Sequence, residues 1–293
     1  MGGGFGRPLY GIRRLTKSAD PPLSGHVAGG QAEYLRVPQA HFGPIKVPEA
    51  PSDDRFVYLS DVLPTAWQAV EWAAIPDGGT VAVFGLGPIG LMAARIAKVR
   101  GAKQVFGIDL VPERLALAER SGIETLNSEE VDEVPAALRE LTGGRGPDSV
   151  IDAVGLEAHG SRIAELMQKA TGLLPDRIAE PLAQKAGLDR LAALLDSIEA
   201  VRRGGTVSII GVYGGAADLL PMFQIFDKGI QIRMGQAHVK RWVDDLMPYV
   251  TAEDDPLGTE DFATNRVPLE QAPEMYDRFQ KKQDGVFKVL LQP

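Results

Sequence analysis

The sequence contains no cysteine among its 293 residues. Disulfide bonds and thiolate ligands for zinc are therefore excluded, because both require a cysteine sulfur. Basic residues are outnumbered: 31 lysines and arginines stand against 39 aspartates and glutamates, which gives a net charge of −8. An acidic chain without a basic cluster lacks the contacts that hold a phosphate backbone, so we expect no nucleic-acid partner.

Long apolar runs are missing as well. No stretch approaches the roughly 20 apolar residues that a membrane-spanning helix needs, so we expect no membrane partner. The opening residues Met1–Gly6 lack the apolar segment of a secretory signal, which favours a cytoplasmic protein. With 44% hydrophobic and 24% charged residues the composition is that of a globular protein, and the length suggests two domains.

From residue 59 onward, strand patterns alternate with helical patterns. The run Thr80–Phe84 is continuously apolar and β-branched, which is typical of a strand buried on both faces of a parallel sheet. Four more strands are predicted at Gln104–Asp109, Ser149–Gly155, Thr206–Gly211 and Ile230–Met234. This alternation indicates βαβ units, and so predicts an α/β fold with a doubly wound parallel sheet.

Two further segments have patterns of their own. Alternation of polar and apolar residues over Gln31–Pro38 predicts a half-buried strand. The stretch 157–203 is mostly helical and far longer than a simple crossover between parallel strands. It is interpreted as a helical insertion, which could serve as a lid, as an interface element or as extra scaffold.

A glycine-rich turn, Gly-Leu-Gly-Pro-Ile-Gly, follows the strand Thr80–Phe84 and opens a helix. In this context Gly85 allows the tight turn, Gly87 lets the backbone approach a pyrophosphate, and Gly90 lets the helix pack close to the sheet. The start of the helix adds free N–H groups and the positive end of the helix dipole. The turn predicts a dinucleotide site; the alternative is a tight turn without a ligand.

An acidic residue is expected at the end of the next strand, about 20 residues further on. Asp109 is in this place. Its carboxylate can accept hydrogen bonds from the ribose hydroxyls and would repel a 2′-phosphate, which favours NAD over NADP. Arg114 lies close by in the sequence and could stack on adenine or pair with a phosphate.

Several motifs together resemble the medium-chain, zinc-type alcohol dehydrogenases, and within them the glutathione-independent formaldehyde dehydrogenase branch. They cover nearly the whole chain from about Pro8. The quoted segments, besides the glycine turn, are Gly29–Pro38, Leu59–Thr65, Ile151–Gly155, Gly235–His238 and Asp284–Val289. The resemblance implies hydride transfer between a small alcohol or hydrated aldehyde and NAD.

The same resemblance implies a GroES-like, β-rich catalytic domain beside the Rossmann domain. We assign 1–64 and 237–293 to remnants of the catalytic domain. Residues 65–236 form the Rossmann domain, with the helical insertion near 157–203. Met1 would then fall inside the catalytic domain, so we expect a truncated form or a misplaced start site. Full-length members of the family pair through their Rossmann sheets, so the resemblance implies a homo-oligomer joined at the Ile230–Met234 edge.

The family's catalytic zinc is the main departure. Asp61, in Leu-Ser-Asp-Val-Leu-Pro-Thr, matches the family's zinc-binding Asp, but the Cys and His that complete the site have no counterpart. A catalytic zinc needs about three protein ligands. The histidines are not paired at ligand spacing; they are His26, His41, His159 and His238. We therefore expect Asp61 to be a carboxylate at the mouth of the cleft, and expect zinc to bind weakly if at all.

The cofactor contacts implied by the resemblance lie in the part of the family pattern that is present. By this resemblance Ile89 and Pro88 belong to the pyrophosphate turn, and Val154 lines the adenine side; core packing is the alternative role for both Val154 and Val212. Gly211, Val212, Gly235 and Gln236 lie near the nicotinamide ring.

Three functions are consistent with these observations. The first is an NAD-dependent dehydrogenase, impaired because zinc ligands are missing. The second is a non-catalytic NAD-binding module or truncated product. The third is a zinc-free reductase, for which Tyr213 is a candidate proton donor; the alternative is that Tyr213 only lines the wall of the site.

Overall fold

The computed structural model describes residues 30–37, 40–155, 191–213 and 220–293. The chain divides into two compact units. One comprises Ala50–Glu260; the other joins the described residues up to Glu49 to Asp261–Pro293. The predicted domain limits near residues 64 and 236 stay a prediction. Most of the predicted insertion, 157–190, and also His26 and His159, lie outside the described residues.

The larger unit is built on a parallel sheet of six strands in the order β3-β2-β1-β4-β5-β6. This is the strand order of a doubly wound dinucleotide-binding fold, so the predicted fold class is confirmed. The strands are β1 Thr80–Phe84, β2 Gln104–Asp109, β3 Glu124–Asn127, β4 Ser149–Asp152, β5 Thr206–Ile209 and β6 Gln231–Met234.

Helices precede or follow most of these strands. In chain order they are α1 Asp54–Val57, the 3-10 turn Tyr58–Ser60, α2 Val62–Ala73, α3 Pro88–Val99, α4 Pro112–Arg120, α5 Val134–Leu141, α6 over residues 191–200, α7 Met222–Lys228 and α8 Val239–Thr251. Proline occupies the first turn of α3, α4 and α5, where its missing N–H breaks no helical bond. No helix in the described ranges is both long and apolar enough to cross a bilayer.

Both faces of the sheet are covered. Ala82 and Phe84 share a buried cluster with Leu138 of α5 and Ile198 of α6. Successive strand residues point to opposite faces, so the buried Val81 and the alternate positions of β1 face the other side. On that side α2 and α3 pack against the strands and against each other. This two-sided burial explains why β1 is a continuous apolar run in the sequence.

The described part of the smaller unit contains one short sheet and one helix besides a 3-10 turn. Its strands β7 (Asn265–Pro268) and β8 (Val289–Gln292) pair in parallel, and α9 spans Ala272–Gln280. Phe262 and Phe287 meet edge to face, with ring centroids 5.3 Å apart. The predicted strand at Gln31–Pro38 was wrong: residues 31–37 form bends and no strand. Their side chains are exposed, so the alternating pattern has no buried face to serve.

The carboxyl-terminal end of α6 is held by cations. Lys228 Nζ donates to the carbonyl oxygens of Ile198 and Glu199, at 2.8 and 2.9 Å, and Arg139 Nη1 donates to the Glu199 carbonyl at 3.4 Å. These donors satisfy carbonyls that have no partner within the helix. Their positive charges also interact favourably with the negative, carboxyl-terminal end of the helix dipole.

Asp196, on the same helix, predicts a pH-dependent stability. Burial, followed by the charges of Glu199 and Glu133, raises the pKa of Asp196 to about 6. A raised folded-state pKa means that stability is lost as pH rises from the ordinary value of 3.8 through 6. Asp196→Asn should therefore stabilise the protein at pH 7.5 by about 1 kcal/mol, a figure reduced for solvent screening. Urea denaturation should show this gain at pH 7.5 and none at pH 4; an equal gain at both pH values would contradict the assignment.

Candidate cofactor site at the carboxyl ends of the strands

The strand order changes direction between β1 and β4, and their carboxyl ends meet there. In open α/β sheets this switch point is where ligands bind. Gly85 follows β1 with a φ of +84°, a left-handed conformation that favours glycine. Its N–H donates to the Ile108 carbonyl of β2 at 2.8 Å, while the Ala153 N–H donates to the Phe84 carbonyl at 2.9 Å.

The glycines of the turn are required for different reasons. A Cβ on Gly90 would lie 1.8 Å from the Gly85 carbonyl oxygen, so the protein's own packing demands glycine there. A Cβ on Gly87 would meet only Arg114 Nη1, at 3.9 Å, and Gly87 has an ordinary φ of −63°. The protein itself leaves open space at Gly87. That space fits a ligand approaching the backbone at the start of α3, where Pro88 and Ile89 are half-buried.

Asp109 ties the end of β2 to the glycine turn. Its Oδ2 accepts the Leu86 N–H at 2.7 Å, and its Oδ1 accepts the N–H groups of Leu110 and Val111 at 2.8 and 2.9 Å. Arg114 Nη1 lies 3.5 Å from Oδ2. The predicted ribose acid is therefore brought beside the predicted pyrophosphate turn, and the guanidinium lies next to both. This carboxylate is 7% exposed and is fixed in place by the backbone.

The second half of the sheet contributes a buried carboxylate that the sequence analysis missed. Asp152 ends β4; it accepts the Val154 N–H at 3.0 Å and the Tyr213 hydroxyl at 2.6 Å. Burial raises the pKa of Asp152. Burial and then the charge of Asp152 raise the pKa of Tyr213. Because this hydroxyl is a weak acid already donating to Asp152, the structure gives no support to Tyr213 as a proton donor. The sequence does carry a signal for Asp152, because it ends an apolar strand just as Asp109 does.

The loops after β4 and β5 lie backbone to backbone. A Cβ on Gly211 would lie 2.3 Å from the Gly155 nitrogen, and the Gly211 N–H donates to the Asp152 carbonyl at 2.9 Å. Val154 is partly buried against the core, whereas Val212 is 64% exposed. Val212 thus has the exposure that a ligand contact requires.

The loop after β6 runs along α2. Gly235 has a φ of +155°, and a Cβ on it would approach the Trp72 ring at 3.1 Å. The Gln236 carbonyl accepts a hydrogen bond from Gln68 Nε2 at 2.9 Å. Gly235 and Gln236 are exposed at the carboxyl end of β6, the same edge of the sheet as the glycine turn.

Asp61 lies at the start of α2, exposed, with its Oδ1 accepting the Thr65 hydroxyl at 2.9 Å. The described ranges contain no group of three His, Cys, Asp or Glu side chains that could hold a metal ion. His238 packs its ring edge-on to Trp72, with centroids 6.4 Å apart. These described residues do not form a zinc site.

The sequence is similar to those of known dehydrogenases. A family described as zinc-binding dehydrogenase matches residues 88–174. An uncharacterised zinc-type alcohol dehydrogenase-like protein of Bacillus subtilis is 36% identical over 274 residues, which cover 92% of this chain and 68% of that protein. A glutathione-independent formaldehyde dehydrogenase of Pseudomonas aeruginosa is 34% identical over 193 residues, covering 63% of this chain and 48% of the relative.

The fold is similar to that of a solved alcohol dehydrogenase. Alcohol dehydrogenase TADH from Thermus sp. ATN1 superposes with a TM-score of 0.74 at 31% identity, covering 92% of this chain and 68% of that one. The chain thus spans between 48% and 68% of the length of these three proteins. The resemblance inferred from the motifs is confirmed, and the chain belongs to the zinc-type alcohol dehydrogenase family.

Proposed function

We propose that the chain binds NAD across the carboxyl ends of its strands and is an oxidoreductase acting on a small alcohol or hydrated aldehyde. The observation that carries the proposal is the geometry of the Gly85–Gly90 turn. A Cβ at Gly90 would collide with the Gly85 backbone, whereas the space beside Gly87 is free for a ligand, and the Leu86 N–H donates to Asp109. The Pseudomonas relative, a formaldehyde dehydrogenase, supports the substrate class.

Each part of the cofactor would contact a different group of residues at the carboxyl ends of the strands. The N–H groups at the start of α3 would hold the pyrophosphate, while Asp109 and Arg114 would hold the adenosine. The loops after β4, β5 and β6 would line the remainder; their residues are Val154, Gly211, Val212, Gly235 and Gln236. NAD, when bound, supplies the acceptor for a hydride taken from the carbinol carbon.

Alcohol oxidation by this chain would be slow. Lowering the pKa of an alcohol is the task of the family's metal, and among the described residues Asp61 belongs to no group of three side chains that could hold a metal ion. A second candidate function, NAD binding without catalysis, is favoured by the Asp61–Thr65 hydrogen bond, which gives this carboxylate a local partner. NADH binding without alcohol oxidation would distinguish the second candidate from the first.

Titration of the protein with NADH and NADPH, followed by nucleotide fluorescence, tests the cofactor. We expect NADH to bind at least about tenfold more tightly, because one like-charge contact between Asp109 and a 2′-phosphate costs on the order of 1 kcal/mol or more. Asp109→Asn should reduce this preference. Asp148→Asn is the control, since Asp148 accepts the Thr80 N–H at the opposite end of the strands. No NADH binding at millimolar concentration would overturn the proposal.

A further inference from the structure

Gln68 is a fully buried polar residue in the middle of α2. Its Nε2 donates to the Gln236 carbonyl at 2.9 Å. Its Oε1 accepts the His238 N–H at 2.9 Å and the indole N–H of Trp242 at 3.0 Å. All three partners belong to the loop after β6 and the first turn of α8, so one amide joins α2 to this single stretch of chain.

Packing alone does not explain an amide at this position. The neighbouring buried residues of α2 are apolar, among them Ala66, Ala69 and Val70. Burying an amide is unfavourable unless its polar atoms find partners, and an apolar side chain of the same length would avoid that cost. The amide instead orients the backbone after β6, because its hydrogen bonds hold the Gln236 carbonyl and the His238 N–H at defined distances from α2.

The fixed stretch lies at the ligand edge of the sheet. It begins directly after β6, at the carboxyl end of the parallel strands. A doubly wound sheet holds one mononucleotide on each half. The glycine turn and Asp109 belong to the half formed by β1–β3, so the half formed by β4–β6 is left for the nicotinamide mononucleotide.

We propose that Gln68 is a positioning residue that sets the backbone after β6 for the nicotinamide end of the cofactor. The inference rests on the proposed NAD binding. Gln68 itself does not touch the cofactor; it acts through the Gln236–His238 backbone. The close approach of Gly235 to Trp72, which also belongs to α2, places a second constraint on the same loop.

Two nucleotides separate this role from a general effect on stability. NADH carries the nicotinamide, whereas ADP-ribose lacks it and keeps the adenosine and pyrophosphate. In Gln68→Met, which has a similar length and no amide, we expect the Kd for NADH to rise about tenfold, the effect of one or two lost hydrogen bonds. The Kd for ADP-ribose, measured by calorimetry, should stay within about twofold of the wild-type value.

Ser149→Ala is the matched control. Ser149 is also buried and its hydroxyl donates to the Ala73 carbonyl of the same helix at 2.8 Å, but it begins β4 at the far end of the strand. We expect this variant to bind both nucleotides as the wild type does. Gln68→Glu serves if the Met variant fails to fold, since it keeps the acceptor for His238 and Trp242 and loses the donor to Gln236.

The outcomes are distinct. Loss of NADH affinity with ADP-ribose affinity retained supports the positioning role. Equal weakening of both nucleotides, or unchanged NADH binding in the Gln68 variants, overturns it. If the wild type binds neither nucleotide, the proposed function fails, and amide hydrogen exchange then tests by itself whether Gln68 holds the backbone after β6. Faster exchange of the His238 amide in Gln68→Met supports that role, and unchanged exchange refutes it.

Discussion

The Gly90→Ala variant is expected to lose about 3 kcal/mol of stability and its measurable affinity for NADH. The added methyl would lie 1.8 Å from the Gly85 carbonyl oxygen and 3.2 Å from the Ala153 Cβ, which leaves it no space. Relief requires α3 to move away from β1, which opens the turn and displaces the N–H groups at the helix start. Urea denaturation and NADH titration of the same preparation measure both effects.

Gly87→Ala provides the contrast within the same turn. Its methyl would meet only the tip of the Arg114 side chain, at 3.9 Å, and its φ suits any residue. Stability should therefore stay within about 0.5 kcal/mol of the wild-type value. NADH binding should still weaken, because the methyl occupies the space through which the pyrophosphate approaches the backbone. If Gly90→Ala is as stable as Gly87→Ala, the closed geometry described for the turn is wrong.

The second large effect is expected at Arg55, whose side chain is only 1% exposed. Its guanidinium donates to the carbonyl oxygens of Val250 and Ala252 and pairs with Glu260 Oε1 at 2.8 Å. It therefore joins α1 to the end of α8 and to the loop beyond it. Arg55→Met leaves these buried carbonyls without a charged donor. We expect a loss of about 3 kcal/mol in the free energy of unfolding, because unsatisfied buried groups carry their full desolvation cost.

Arg278→Met is the control for the loss of an arginine. Arg278 pairs with Glu274 at 2.8 Å on an exposed face of α9, as an i, i+4 pair. Such pairs contribute only about 0.3–0.5 kcal/mol. High salt should weaken the Arg278 contribution and leave that of Arg55 largely intact, because the Arg55 guanidinium is buried and salt screens buried charges less. Equal, small losses for both variants would show that Arg55 does not hold this part of the unit.

The bounds of the strands show how much of the sheet could be predicted from short stretches of sequence. A strand buried on both faces must be apolar throughout, so Thr80–Phe84 and Gln104–Asp109 could be predicted with the bounds the structure gives. The short β3, Glu124–Asn127, was missed, because it is an edge strand with polar, half-exposed residues. The predicted strands ending at Gly155 and Gly211 are shorter in the structure, since those glycines belong to the loops.

The glycine turn and Asp109 were determined by the sequence itself. A tight strand-to-helix turn needs glycine at fixed offsets, and the acid follows at the length of one helix and one strand, so the spacing along the chain carries the information. The tertiary structure decided the contacts between distant residues. Gln68 meets Gln236 across 168 residues, and Arg55 meets Glu260 across 205. Neither pairing leaves a periodic pattern, because such partners are chosen by how helices pack on the sheet, which local sequence does not encode.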